Sequence, residues 1–501
     1  MGTSPSRLLV ANRGEIAIRI FRACRELGIE TVAVFSDADR GAPHVAAADF
    51  AVRLGPPPAK ESYLSIERIL EAARKTGARL IHPGYGFLAE NPAFALACRD
   101  AGLVFVGPSP EVIEAMGSKT GSRQRMRQAG VPIVPGTWAP ARDASEIQEF
   151  ARREGYPILL KASAGGGGKG MRRVDSDKEV VSSFERVSAE AQMYFGDGAV
   201  YAEKLIERPR HVEIQILGDR HGRRIALGER ECSLQRRHQK VVEECPSPAV
   251  SAKVRTELIE AALAAARAVG YDSCGTVEFL LAPDDRFYFL EMNTRLQVEH
   301  PVTEEVWGVD LAAEMIRIAL GEPLSEEVSE SRPRGHAIEC RIYAENPARG
   351  FAPSPGTITT LRAPAGPGVR VDMGVEKGSV VPIDYDPMLG KLIAYGSNRG
   401  QSLARLARAL SETEILGVET TLPLFRWLVA EPDFLAGRFD VQWLDRELER
   451  ATRQSGEVRS DDLLLASIAL ADEEAPVSSA RESSSASVWS RASRLEALRD
   501  R

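Results

Sequence analysis

The stretch Phe287-Tyr-Phe-Leu-Glu-Met-Asn-Thr-Arg-Leu-Gln-Val-Glu-His-Pro301 is an apolar strand that runs out into two acids, two amides and a guanidinium. From Asn293 the polar residues Asn293, Arg295, Gln297 and Glu299 occupy every second position, so an extended backbone aims all four at one face. Such a face can hold an anion beside a base. Upstream, Thr276-Val-Glu-Phe-Leu-Leu281 reads as a second strand, joined to the first through Ala-Pro-Asp-Asp-Arg as a hairpin. Pairing Leu281 with Tyr288 sets Glu278 across from Glu291. Carboxylates on opposed positions have Cβ atoms roughly 5 Å apart and repel unless a cation lies between them. The pair therefore reads as a divalent-metal site, and hard oxygen ligands suit Mg2+ or Mn2+ carrying nucleotide phosphates better than zinc. The competing reading is a solvated hairpin edge with scattered acids.

The chain has 501 residues, which suggests about three domains. A composition of 44% hydrophobic and 27% charged residues can bury a core in each. A formal charge of -7 argues against nucleic-acid or membrane-surface partners, so any anion must be met by local basic residues. Six dispersed cysteines without a C-x-x-C pattern are expected of reduced thiols in a cytoplasmic protein. No apolar run approaches the roughly 20 residues of a membrane span.

Arg7 to Asn12, Glu15 to Leu27 and Thr31 to Phe35 read as strand, helix and strand, hence a parallel sheet. No G-x-G-x-x-G follows the first strand, so the dinucleotide fingerprint is missing. A repeat of the pattern around Leu80-Ile81 and Leu103 to Val106 closes a first α/β domain over 1–116. A second region spans 117–323, and the acidic stretch Glu322 to Pro333 reads as a linker. A third region, 335–450, alternates strands such as His336 to Tyr343 and Lys391 to Tyr395 with a helix near Leu403 to Leu410. The tail 451–501 is rich in Ser and Glu and is expected to be partly disordered.

Gly165, Gly166, Gly167, Gly168, Lys169 and Gly170 follow the strand Pro157 to Ser163 and precede Met171-Arg-Arg-Val174. A Walker loop needs Gly-Lys-Ser/Thr opening a helix, which this run lacks, so it reads as the turn of a hairpin. Glycines in a fixed turn cost entropy, which makes sense if a mobile loop brings backbone N–H groups to phosphates. Lys161 and Lys169 add charge that favours phosphate over a plain linker. Glu203-Lys204, at a strand end, is a weak signal for reading an adenine edge. His211, in an alternating strand, reads by itself as an ordinary strand-face residue. Cys232 sits beside the basic run Arg236, Arg237, His238 and Lys240, which could lower its pKa, but the residue reads as an unreactive structural thiol.

Six motifs in uninterrupted order then carry a resemblance. Ala11-Asn-Arg-Gly-Glu-Ile-Ala17, His82-Pro-Gly-Tyr-Gly-Phe-Leu-Ala-Glu-Asn91, Lys161 to Met171, Gln235-Arg-Arg-His-Gln-Lys-Val-Val-Glu-Glu244, Glu291 to Glu304 and Gly335-His-Ala-Ile-Glu-Cys-Arg-Ile342 resemble the biotin carboxylase component of biotin-dependent acyl-CoA carboxylases, as in acetyl-CoA carboxylase. The likeness covers residues 7 to about 450. It implies mixed α/β and α+β architecture: a parallel N-terminal domain, an ATP-grasp domain with a mobile lid over about 134–204, and a C-terminal biotin carboxylase domain. Carried over residue by residue, it implies ATP contacts at Lys119, Lys161, the glycine run, Glu203, Lys204, Leu205, His211, Gln235, His238, Glu278 and Glu291. It implies Mg2+ or Mn2+, at two sites, on Glu278, Glu291 and Asn293. It implies bicarbonate at Lys240, Arg295, Gln297 and the Val298 backbone, a general base at Glu299, and biotin at Tyr85 and Arg341, whose guanidinium stabilises the biotin enolate. Glu299, Arg341, Arg295 and Lys240 form the implied catalytic set. Lys169 stands where some relatives carry Arg, which keeps the charge and loses the bidentate fork.

The implied reaction is ATP- and bicarbonate-dependent carboxylation of biotin through carboxyphosphate, the first half-reaction of an acetyl-CoA or propionyl-CoA carboxylase in fatty acid biosynthesis. Met-Lys occurs nowhere in the 501 residues, so the biotinylated Ala-Met-Lys-Met hairpin of such enzymes is absent and the biotin is expected on a carrier protein in trans. A separate carboxyltransferase and a second copy of the chain, in a homodimer, are the further implied partners. Two rival readings compete with this one. An ATP-grasp ligase joining an acyl phosphate to an amine would have no use for Arg295-Leu-Gln-Val-Glu299 or Arg341. A non-catalytic nucleotide-binding scaffold predicts gaps among the polar residues, and none is found.

Overall fold

The computed structural model describes residues 7–137, 139–162 and 171–454. Short β-branched and Leu-rich runs at the N-terminus form β1 (Arg7–Val10), β2 (Glu30–Ser36), β3 (Phe50–Gly55), β4 (Leu80–His82) and β5 (Val104–Phe105). All pair in parallel in the order β3-β2-β1-β4-β5, as the β-α-β reading predicts. The helix Gly14–Glu26 buries Ile16, Ala17, Ile20, Phe21, Ala23 and Cys24, the 3.6-residue face of its sequence. The helix Ile66–Thr76 is bounded by its own punctuation: Ser65 Oγ accepts from the Arg68 N–H, and Gly77 takes φ +68°.

Strands β6 (Ile158–Ala162), β7 (Met171–Val174) and β8 (Val200–Lys204) form a three-stranded antiparallel sheet in the order β7-β6-β8. β6 and β7 are the two arms of the expected glycine-rich hairpin; Gly165 to Gly170, with Lys169, lie outside the described residues. Leu160 and Ala202 point to a small core with Ile147, Phe150 and Val187 from two covering helices, which leaves Lys161, Tyr201 and Glu203 on the other face.

The third sheet holds β9 (Arg210–Gly218), β10 (Arg224–Arg236), β11 (Gln239–Cys245), β12 (Cys274–Leu281), β13 (Phe287–Asn293), β14 (His336–Tyr343), β15 (Val369–Met373) and β16 (Met388–Gly396). Its order is β13-β12-β9-β10-β11-β14-β16-β15, antiparallel throughout. It crosses the acidic stretch read as a linker, because β11 pairs with β14. That stretch is itself partly ordered: Glu326–Glu330 is helical, with Ser325 as its cap. One core joins Leu8 of the N-terminal sheet and Ile16 and Phe21 of the helix Gly14–Glu26 to Leu217 and Cys274 of the large sheet and to Leu311 and Met315. The mixed architecture of parallel N-terminal sheet, three-stranded unit and antiparallel sheet is the one the sequence implied.

All six cysteines are buried and free. Burial pushes the Cys24, Cys98 and Cys274 thiols up to about 12. It pushes Cys232 well above the ordinary thiol range despite Lys240, so the structural reading of that residue holds. Among the described residues no helix is long and apolar enough to cross a membrane.

Candidate active site

Cross-strand register builds the site. Glu291 on β13 opposes Glu278 on β12, Glu278 opposes Glu213 on β9, and Glu213 opposes Arg230 on β10, a row across four strands. The route to the first pair differs from the sequence expectation. Leu281 pairs with Phe287 and not Tyr288, and one extra residue at Leu290 bulges the strand and restores Glu278 opposite Glu291. Glu278 is buried, and Glu291 opens to solvent. The charge of Glu278 raises the Glu291 carboxyl, and among the described residues no salt bridge reaches it. A divalent cation between these oxygens would relieve that repulsion, so the donor set fits one.

Lys240 is the hub. Its Nζ donates to Glu213 Oε2 at 2.8 Å, Glu278 Oε1 at 2.9 Å and Glu299 Oε1 at 2.7 Å. On the far side of Glu299, Arg341 Nη2 donates to Oε2 at 2.9 Å, while Arg341 Nε donates to Glu243 Oε1 at 2.6 Å. Burial alone would raise Glu299, but Lys240, Arg341 and Arg230 hold it well below the usual carboxylate range. Burial is likewise outweighed at Glu278, where Lys240 and His211 hold the carboxyl low. Arg230, fully buried, ties Glu213 to Gln215 Oε1 at 2.7 Å and Thr303 Oγ1 at 2.9 Å.

Asn293 to Glu299 is not extended. The strand ends at Asn293, Val298 and Glu299 form a turn, and the helix His300–Trp307 starts after Glu299. Leu296, fully buried, pulls the chain out of the sheet plane into the core. The polar side chains still gather, each on its own partner. Asn293 Nδ2 donates to Glu278 Oε1 at 2.8 Å, and Gln297 Nε2 to Thr276 Oγ1 at 2.9 Å. Arg295 reaches Glu90 Oε2 at 2.7 Å, Asn293 Oδ1 at 3.0 Å and Gln297 Oε1 at 3.2 Å. The Val298 carbonyl accepts from Lys391 Nζ at 2.9 Å.

The expected nucleotide residues separate into groups. Glu203 is ion-paired to both Lys161 and Arg123 on the open face of the three-stranded sheet. Lys204, the next residue along the strand, faces the other way, and its Nζ donates to the carbonyls of Gly155 and Tyr156, both at 3.0 Å. The Leu205 N–H is taken by Pro157 O at 3.2 Å. His211 and Gln235 sit at the acid row: His211 Nε2 lies 2.7 Å from Glu278 Oε2, and Gln235 Nε2 donates to His211 Nδ1 at 2.8 Å. The reading of His211 as an ordinary strand-face residue is thereby replaced. His238 occupies the exposed β10–β11 turn with φ +68°. Lys119 opens the helix Lys119–Gln128. Tyr85 is hydrogen-bonded to Glu15, in a loop held by Asn12 Nδ2 on the carbonyls of Pro83 at 2.8 Å and Tyr85 at 2.7 Å. Sequence reading missed Glu90, Arg123, Glu213, Arg230 and Glu243. Glu213 had a signal, the His211-Val-Glu-Ile-Gln alternation; Arg230 meets it across the β9–β10 hairpin, and Glu90, Arg123 and Glu243 meet partners far away in the chain.

A three-stranded unit carrying Lys161 and Glu203, together with an antiparallel sheet carrying opposed acids, defines an ATP-grasp enzyme. Family models match accordingly: biotin carboxylase, N-terminal domain over 4–113, the carbamoyl-phosphate synthase L chain ATP-binding domain over 118–327, and the biotin carboxylase C-terminal domain over 339–446. The chain is 50% identical over 440 residues to biotin carboxylase 1 of Bacillus subtilis, covering 88% of this chain and 98% of that one. It is 50% identical over 449 residues to the biotin carboxylase of Allochromatium vinosum, covering 89% of this chain and 100% of that one. The crystal structure of the biotin carboxylase–β,γ-ATP complex from Campylobacter jejuni superposes with a TM-score of 0.84 at 43% identity, covering 88% of this chain and 99% of that one. The chain belongs to the biotin carboxylase family, ATP-dependent ligases that carboxylate biotin.

Proposed function

We propose that this chain transfers carboxyl from bicarbonate to biotin borne on a separate carrier protein, through carboxyphosphate, using Glu299 as base and Arg341 as the enolate-stabilising cation. The observation that carries this reading is Glu299 held between Lys240 and Arg341, in a buried site whose far end is the acid pair Glu278 and Glu291. Two cations keep Glu299 ionised and ready to accept a proton, yet they also weaken it as a base. An entering bicarbonate offers Lys240 and Arg295 a new anion, which loosens their hold on Glu299 and Glu90 and raises the basicity of Glu299 as the substrate arrives. Gln297 and the Val298 backbone complete the proposed bicarbonate pocket. Lys161, with Arg123 and Glu203, sets charge on the nucleotide side, where Lys119, His238 and the glycine run are proposed to contact ATP. Mg2+ or Mn2+ on Glu278, Glu291 and Asn293 would neutralise phosphate charge when bound. Arg341, in contact with Glu299, then faces the developing enolate of the biotin ring near Tyr85.

We further propose a cytoplasmic homodimer working with a biotin carboxyl carrier and a carboxyltransferase, and acetyl-CoA or propionyl-CoA as the final acceptor. A solved relative, the biotin carboxylase domain of the Hydrogenobacter thermophilus 2-oxoglutarate carboxylase, is described as a dimer with MgADP and bicarbonate, at 45% identity and a TM-score of 0.82. Relatives of this chain are also named for pyruvate and methylcrotonoyl-CoA, so the acceptor is tested directly by isolating the native complex and offering each thioester or keto acid. The half-reaction is tested by ATP cleavage that requires bicarbonate and rises with free biotin. Cleavage that ignores bicarbonate and follows an added amine would replace this reading with the acyl-phosphate ligase.

A further inference from the structure

Two buried acids beside the site have no role in the proposed reaction. Glu243 on β11 and Glu339 on β14 are register partners, both 0% exposed, so their Cβ atoms stand roughly 5 Å apart on one face of the sheet. Glu243 Oε1 accepts from Arg341, but among the described residues its Oε2 has no hydrogen-bond partner, and neither oxygen of Glu339 has one. The charged groups around them come from every neighbouring element. Arg341 is two residues along β14, Lys391 on β16 opposes Arg341, and Asp372 on β15 opposes Lys391. Lys240 lies on β11, Glu299 heads the helix His300–Trp307, and Glu15 sits on the helix Gly14–Glu26. The cations are already committed. Lys391 Nζ is on the Val298 carbonyl and 3.2 Å from Glu15 Oε1, Arg341 is on Glu243 and Glu299, and Lys240 is on its three acids. Two ionised carboxylates at this separation, with three bare oxygens and no exposure to water, repel strongly.

We infer that Glu243 and Glu339 share one proton, and that this proton sets how much of the Arg341 charge is left to face biotin. The inference rests on the proposed role of Arg341. Burial pushes Glu243 up to about 7 even against Arg341, and burial, then the Glu243 charge, push Glu339 well above the carboxylate range despite Lys391. With one proton on the pair, a single negative charge leans on the Nε edge of Arg341. Loss of that proton adds a second anion there and cancels part of the field that a biotin enolate needs. Glu243 is thus a positioning residue for Arg341, and Glu339 sets its charge. The form competent in biotin carboxylation is the protonated pair.

The test measures bicarbonate-dependent ATP cleavage by the full chain, with and without free biotin, across pH, for the wild type and Glu339→Gln, alongside melting temperature. In the wild type the biotin-stimulated component should fall as pH rises through the titration of the pair. In Glu339→Gln the pair can carry only the single charge of Glu243, so the second anion cannot form: the basic limb should vanish, and biotin stimulation should persist above the pH at which the wild type loses it. A basic limb that stays where it is in the wild type overturns the inference, as does a uniform fall of both components that tracks the melting temperature. If Glu339→Gln does not fold, Glu243→Gln reads the pair from the other strand: the remaining acid stays protonated, and the basic limb should vanish. Infrared difference spectra of wild type minus variant at neutral pH should show a buried carboxylic-acid C=O band. Its absence refutes the shared proton whatever the activity, whereas a wild type with no bicarbonate-dependent cleavage refutes the functional reading alone.

Discussion

One ammonium, Lys240, serves three buried carboxylates, and its removal has a definite pH signature. Glu278 and Glu299 have folded pKa values below their unfolded ones, so their ionised forms contribute stability that is present above the unfolded value of about 4.3 and lost as pH falls through the folded values. Lys240→Met should raise both, moving that loss to higher pH; melting temperature against pH should show the variant weakest at neutral pH and nearest to wild type in acid. Glu299→Gln keeps shape and removes the base. Bicarbonate-dependent ATP cleavage should fall by roughly 10²-fold or more with nucleotide affinity nearly kept, and wild-type turnover would sink the assignment of the base. Glu291→Gln removes one ligand charge and should raise the metal concentration needed for half-maximal activity, read by titrating Mg2+. The Glu278–Glu291 pair was reached from the sequence through a register one residue off at the turn, an offset that the bulge at Leu290 cancels. The Arg341–Glu243 pair, 98 positions apart, was not, since no local rule says which strands become neighbours.

Elements were legible where period and punctuation agree, and misleading where a single core-seeking residue overrules alternation. Leu296 is that residue: its burial ends the extended run that the polar spacing suggested, and Leu290 is the bulge that no spacing argument reveals. The β10–β11 turn is a second case. Arg237 and His238 hold φ of +48° and +68°, a two-residue turn whose conformation favours Asn-Gly. Replacing the pair with Asn-Gly should stabilise the fold by about 1 kcal/mol by relieving left-handed backbone in two side-chain-bearing residues, while impairing ATP use through loss of the proposed His238 contact. Denaturant melts and the KM for ATP separate the two effects. A loss of stability would show that the bond from the Arg237 N–H to Asp445 Oδ2, or neighbouring packing, outweighs the strain.

Across the whole molecule, one continuous sheet and one shared core join regions that the sequence divides. Glu304 clamps that junction, taking Arg19 at 2.8 Å from the N-terminal helix and Arg370 at 2.8 Å from β15. Glu304→Gln leaves two mostly buried guanidiniums short of a counter-charge and should cost about 3 kcal/mol or more, lowering the midpoint of the global unfolding transition. An unchanged midpoint would mean that Asp310 and Asp372 suffice. The carrier assignment also belongs at this scale: streptavidin blotting of the denatured chain after expression with an active biotin ligase should be negative. The burial of all six thiols has a practical corollary. Thiol reagents should leave the native protein untouched, so a cysteine placed at Met193, 72% exposed on the helix Val180–Phe195, would be its one accessible handle. A fluorophore attached there would report whether the three-stranded unit moves when nucleotide is added, against a dark background and with no native cysteine first engineered away.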